Sequence, residues 1–210
     1  MDIVLNETEI RIIGALIEKE LTTPEYYPLS LNALTNACNQ KSNRNPVVSY
    51  DESSVENGLK SLAEKGLVKE MHAGSRVTKY IHSLLDLYDL SGQETAILCE
   101  MMLRGPQTAG ELRSRADRMA KIENLEEAEK TLQSLMEHEP PLVIKLPRQT
   151  GRKESRYMHL LSDMPLERSA VEAPAEISNE TILRLEEEMT KLRAELDELK
   201  QAFEKFSAQF

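Results

Sequence analysis

The 210-residue sequence lacks most of what marks a membrane, secreted or catalytic protein. It contains two cysteines, eight glycines and no tryptophan, and aromatic residues make up only 4% of it. Cys38 and Cys99 lie far apart inside helical patterns, and they are expected as small buried hydrophobes in a reducing compartment rather than as a disulfide. The few glycines form no phosphate-cradling loop, no GxGxxG and no nucleophile elbow. His72, His82, His138 and His159 show no paired metal-ligand spacing and there is no Cys-x-x-Cys, so neither a metal nor another cofactor is expected. His82 and His159 are read instead as structural strand-end residues. The N-terminus, MDIVLNETEI, carries acids where a targeting peptide has a basic segment and an apolar run. The longest uncharged stretch, Tyr26 to Gln40, is full of Asn, Thr, Ser and Pro and does not suit a bilayer. A cytoplasmic protein without enzymatic activity, and without a membrane partner, is the expectation.

Positive charge is also short. Thirty-six acids against 26 bases give a formal net charge of −10, which excludes a uniformly basic nucleic-acid coat or a polybasic anchor. The deficit is uneven. Residues 1–88 carry −3, residues 89–162 carry −1, and the remainder carries −6.

What is present is helix, and it is present twice. Leucine, alanine and glutamate dominate, and 40% of residues are hydrophobic. Leu5-Asn6-Glu7-Thr8-Glu9 precedes a helical stripe of Ile10, Ile13, Leu16 and Ile17. Leu90-Ser91-Gly92-Gln93-Glu94 precedes another, Ile97, Leu98, Met101 and Met102. Asn6 with Glu9 and Ser91 with Glu94 have the spacing of capping boxes. Ser30 and Thr108 are placed as N-caps of second helices. Third helices follow, with Val55, Leu59 and Leu62 in one copy and Ala128, Leu132 and Leu135 in the other. Extended runs at Leu67 to Met71 and Leu142 to Leu146 lead through glycine-containing basic turns to strands ending Lys79-Tyr80-Ile81-His82 and Arg156-Tyr157-Met158-His159. Helix, helix, helix, strand, turn, strand is the order of a winged helix. The expected fold class is mainly α (α+β), with two tandem winged-helix domains at 1–88 and 89–162. Tyr26 and Tyr27, in the turn after the first helix, are expected to pack that helix onto the second.

A linker is expected at 163–176, with two prolines and no apolar period, and a coiled-coil helix at 177–210. Ile182, Leu185, Met189, Leu192, Leu196, Leu199, Phe203 and Phe206, with Phe210, alternate three and four apart as an a/d seam. In a parallel dimer the seam brings Glu188 toward Arg193 and Glu195 toward Lys200 of the second chain, so a homodimer is expected. Folding back onto the winged helices is the alternative, and the terminal phenylalanines also suit a contact with another protein.

In a winged helix the third helix ordinarily enters the major groove. Here those helices carry Glu52, Glu56 and Glu64, and Glu126, Glu127, Glu129 and Glu137, which are poor phosphate binders. Bases gather elsewhere. One group is the amide-rich loop with Gln40, Lys41, Asn43 and Arg44; another is Arg113, Arg115, Arg118 and Lys121; a third is the second wing with Arg148, Arg152, Lys153 and Arg156. These are the candidate phosphate contacts of a double-stranded DNA partner. Turn-forming amides in the first group, and ion pairs of the second with Glu111 or Glu123, are the structural alternatives.

The run IEKELTTPEYYPLSLNALTNACNQKSNRNP (Ile17 to Pro46) resembles the signature of the YceH family of bacterial proteins. RGPQTAGELRSR (Arg104 to Arg115) and LPRQTGRKESRYMHLL (Leu146 to Leu161) resemble its second half. The resemblance implies tandem winged helices in a bacterial cytoplasmic protein, and it carries over no ligand or catalytic residue. The expected function is double-stranded DNA binding, as a dimeric regulator of transcription; the alternative is a protein–protein adaptor that uses the winged helices and the coil without DNA.

Overall fold

The computed structural model describes residues 4–72, 77–148 and 154–162. The expected linker at 163–176 and coil at 177–210, with all of its seam positions, lie outside the described residues.

The first copy opens with α1 (Glu7–Thr22), whose start is fixed as the sequence dictates. The Asn6 side chain accepts from the Glu9 N–H at 3.0 Å, and the Glu9 carboxylate accepts from the Asn6 N–H at 2.8 Å. A single 3₁₀ turn, Pro24–Tyr26, leads to a two-residue strand, β1 (Leu29–Ser30). Ser30 caps α2 (Leu31–Cys38) by accepting from the Ala33 N–H at 3.3 Å. After the amide-rich loop, Asp51 caps α3 (Glu52–Glu64). That helix ends on Gly66, whose φ of 73° suits glycine and lets the Leu67 N–H return to the Leu62 carbonyl. The hairpin is β2 (Val68–Met71) with β3 (Lys79–His82), in the register Val68 opposite His82 and Met71 opposite Lys79. β1 pairs on the other side of β3, giving the order β1-β3-β2. A short helix, α4 (Leu84–Leu87), follows. β1 and α4 are too short to leave a periodic trace in sequence.

The second copy repeats this plan. A full capping box of Ser91 and Glu94 starts α5 (Gly92–Arg104), and a second one, of Thr108 and Glu111, starts α6 (Ala109–Ala116). Asn124 caps α7 (Leu125–Glu137), and β4 (Val143–Lys145) pairs antiparallel with β5 (Tyr157–His159). An isolated bridge from Gln107 to Tyr157 stands where Leu29 pairs with Tyr80 in the first copy. The described residues thus form a largely helical α+β fold with small antiparallel sheets.

The two copies share one hydrophobic core. Leu16, Leu34, Leu62 and Leu67 of the first and Ile97, Leu112, Leu132 and Leu135 of the second are buried members of the same cluster. Each such aliphatic side chain contributes roughly 1.5–3 kcal/mol relative to leaving it in water. α1 packs on α5 at a crossing so close that a Cβ on Gly14 would lie 2.9 Å from Leu103 Cδ2 and 3.1 Å from Met102 Cβ. The buried thiol of Cys99, the repeat counterpart of Gly14, lies 3.3 Å from the Gly14 carbonyl oxygen. Corresponding positions of the repeat therefore meet at the crossing. The outer ends are tied too, since the Leu5 N–H donates to the Leu161 carbonyl at 2.8 Å.

Both cysteines are free and buried, and burial pushes the Cys38 thiol up to about 12. Tyr27 packs against the core and its hydroxyl accepts from the His82 N–H at 3.0 Å. Tyr26 does not join it. At 71% exposure it points to solvent, because the 3₁₀ turn presents adjacent residues to different sides.

Candidate nucleic-acid interface

The exposed surface of both third helices is acidic. Along α3, Glu56, Lys60 and Glu64 rise on successive turns, and Lys60 is held by Glu56 at 3.0 Å. Along α7, Glu129, Gln133 and Glu137 occupy the corresponding positions, and Lys130 is held by Glu126 at 2.9 Å. Each lysine that an approaching phosphate would meet already has a carboxylate beside it.

The amide-rich loop is turned largely inward. Arg44 is 5% exposed, and its guanidinium forms a two-point pair with the Glu18 carboxylate of α1. It also donates to the Ala37 carbonyl at 2.8 Å and to Gln40 Oε1 at 3.0 Å. Arg44 is therefore corrected from a surface phosphate contact to an internal strut: its fork-shaped cation meets a buried carboxylate that has no access to water. Gln40 is engaged by that same guanidinium. Asn43, at φ 57°, accepts through its side chain from Arg104 of α5. Lys41 alone of this group is exposed.

The second group is drawn into the same network. Arg118 donates to Glu100 Oε1 at 2.7 Å and pairs with Glu18 Oε1 at 2.6 Å, which ties α1 to α5 and to the end of α6. Arg104 Nε lies 3.1 Å from Glu100 Oε2, near enough for an ion pair but too poorly aimed for a hydrogen bond. Arg115 donates to Gln107 Oε1 at 2.6 Å and pairs with Glu111 at 3.4 Å. Arg156 shares that Glu111 at 3.2 Å and donates to the Pro106 carbonyl at 2.7 Å. Arg113 donates to the Glu123 carbonyl at 3.3 Å, and Lys121 pairs with the Glu123 carboxylate in the open. Arg148 is exposed, while Arg152 and Lys153 lie outside the described residues.

The electrostatics follow from burial. Desolvation alone would raise the Glu18 carboxyl, but hydrogen bonds and charge from Arg44 and Arg118 overcome it and hold the group below its ordinary value. Burial, with Arg115, Arg118 and Arg44 nearby, lowers the Arg104 pKa against the opposing pull of Glu100. Behind Arg44, Arg11 is 5% exposed and donates to the Cys38 and Pro46 carbonyls at 3.2 and 2.7 Å.

The sequence reading missed Glu18, Glu100 and Arg104 altogether. Their signal was a charged residue set within an apolar helical stripe, which in isolation reads as the edge of a solvated face. His82 and His159 are structural. His82 is buried against Glu20, and His159 is buried with its pKa lowered to about 4 by desolvation. Among the described residues no cluster of metal-ligating side chains occurs, and no helix is long and apolar enough to cross a membrane.

A doubled unit of three helices and a hairpin, closed by a buried arginine–glutamate network, defines the class: a largely helical α+β scaffold built from a repeat. Residues 5–152 match the family described as "Protein of unknown function, DUF480". The chain belongs to this family. A UPF0502 protein of Koribacter versatilis is 52% identical over 200 residues, covering 95% of this chain and 92% of that one. UPF0502 proteins of Pelobacter propionicus and Geotalea daltonii are 50% and 51% identical, each over the whole of both chains. These relatives are bacterial.

Proposed function

We propose that this protein is a cytoplasmic protein–protein adaptor that presents its paired third helices to a basic partner. The acidic outer faces of α3 and α7 carry this reading. Glu56 with Glu64, and Glu129 with Glu137, repeat the same spacing, and Arg44 of the loop, Arg115 of α6 and Arg118 just after it are already engaged by carboxylates. Phosphate backbones are repelled by such a face, whereas lysine- and arginine-rich protein surfaces are attracted to it. The YceH resemblance is taken to denote this same family. Self-association through 177–210 would present the acidic faces in multiple copies and raise avidity where the geometry lets them engage together.

Charge reversal tests the proposal. Full-length protein and the E56K/E129K variant, each purified from the native host, are compared for associated proteins. A basic partner retained by the first and lost by the second is expected; identical sets of associated proteins overturn the reading.

A second reading, double-stranded DNA binding and transcriptional regulation, is supported by exposed Lys41, Lys145 and Arg148, none of which pairs with a carboxylate among the described residues. It predicts duplex binding that weakens steeply with added salt and survives E56K/E129K. No retention of any duplex at low salt rejects it.

A further inference from the structure

The arginine network contains more positive charge than its carboxylates neutralise. Arg44, Arg104, Arg115, Arg118 and Arg156 pair with Glu18, Glu100 and Glu111, five guanidiniums against three carboxylates. Arg11, close behind Arg44, adds a further cation whose guanidinium is bound by carbonyls alone. Among the described residues no other carboxylate pairs with these arginines. The two arms of the network are joined by Gln107, which accepts from Arg115 and donates to the Glu100 carbonyl at 3.1 Å.

Part of this excess is accessible to solvent. Arg44 is sealed, but the side chains of Arg104, Arg115, Arg118 and Arg156 are 21%, 35%, 30% and 19% exposed. Arg156 Nε is buried with no hydrogen-bond partner among the described residues. These arginines are also held in place, by Asn43, Gln107, Glu100 and the Pro106 carbonyl, before any ligand arrives. With Glu18 set against the sealed Arg44, the four accessible guanidiniums face Glu100 and Glu111, and such a fixed, half-buried set of forks with a surplus of about two charges suits a dianion rich in acceptor oxygens.

The geometry points to a binding site for a phosphate monoester at the junction of the two copies, lined by Arg104, Arg115, Arg118 and Arg156. A phosphate monoester carries about −1.5 to −2 at neutral pH, which matches the surplus, whereas each diester link of a nucleic-acid backbone carries one charge. The same chemistry is offered by inorganic phosphate and by a phosphorylated metabolite. This site is separate from the third-helix faces, so its failure leaves the adaptor reading standing, and the converse holds too.

The test titrates the full chain with inorganic phosphate, adenosine 5′-monophosphate, adenosine, and sodium chloride at matched ionic strength, followed by phosphorus NMR and thermal unfolding. Phosphate and the nucleotide should broaden or shift the phosphorus line and raise the melting temperature above the chloride control, with adenosine inert. Response to the nucleotide but not to inorganic phosphate identifies an ester as the ligand; the reverse identifies the free ion. In R115Q/R156Q the affinity should fall about tenfold or more, while K130Q on α7 leaves it unchanged. R115K/R156K keeps the charge without the fork and covers the case in which the first variant unfolds; it should bind measurably weaker than the native chain. No response beyond chloride overturns the site. So does equal binding by the native chain and both arginine variants, or binding of a duplex without terminal phosphates when neither phosphate nor the nucleotide binds.

Discussion

Arg44→Met removes one end of the most enclosed ion pair among the described residues. The native guanidinium is 0% exposed at its side chain, its carboxylate partner 2%, and they meet through two contacts. Methionine fills comparable length with apolar atoms, so the main loss is electrostatic. Glu18 keeps Arg118 at 2.6 Å and Lys19 at 3.9 Å, both more exposed to water than Arg44. The Ala37 carbonyl and Gln40 also lose a charged donor. Breaking a buried pair in this way costs about 3–5 kcal/mol, a large part of the 5–15 kcal/mol that holds an ordinary domain together. At roughly 2–4 °C per kcal/mol for a unit of this size, the melting temperature should fall by about 10 °C. Removing both charges in E18L/R44M should return about 2 kcal/mol relative to R44M, since no buried carboxylate deprived of its enclosed partner remains and Arg118 retains Glu100. Urea unfolding followed by circular dichroism measures all three chains. An R44M midpoint indistinguishable from the native one places Arg44 at the surface and refutes the reasoning. A double variant weaker than R44M refutes the account of the under-compensated carboxylate.

Three further outcomes are expected. His159 has a folded pKa of about 4 against an ordinary 6.5, so neutral burial contributes stability that is complete above pH 6.5 and is lost as pH falls through 4, about 3 kcal/mol in all; His159→Leu should flatten that part of the pH–stability curve, and an unchanged slope counts against it. Gly14→Ala should cost about 1–3 kcal/mol, because the new Cβ meets Leu103 and the Met102 Cβ, which is fixed to its backbone; Gly58→Ala, whose Cβ meets the movable end carbon of Ile12 and, less closely, Thr8 Cγ2, should cost less, and the reverse order in urea midpoints would contradict the close crossing. Asn6→Ala and Ser91→Ala, at matching caps, should each cost about 1 kcal/mol, and a several-fold difference between them would show that the repeat is unequal there.

How much of this was legible in the sequence divides by range. The capping boxes, the stripes of the first helices and the buried Val55, Leu59, Leu62, Ala128, Leu132 and Leu135 were readable because each depends on neighbours within two turns. The candidate interface was not. Arg44 sits among asparagine, serine and proline and looks like loop surface, yet its partner is 26 residues upstream and belongs to a helix with an apolar face. Arg118 reads as one of several clustered bases, but it reaches back to Glu18 across the junction of the copies. The alternative pairings with Glu111 and Glu123 were visible because they lie close along the chain. Tyr26 was misplaced because two adjacent aromatics give no sign of which one the chain turns inward.

The α1–α5 crossing has a consequence for how the repeat came to differ from itself. Two identical separate chains meeting there would be bound to place the same residue at both ends of the contact. In this chain the counterpart of Glu18 is Leu103 and the counterpart of Glu100 is Ala15, so the contact is self-similar in its backbone and unlike in its chemistry. Covalent linkage removes the obligation to match. One half of a fused pair is then free to hold a carboxylate where the other holds an aliphatic, and an asymmetric network can grow on a symmetric frame.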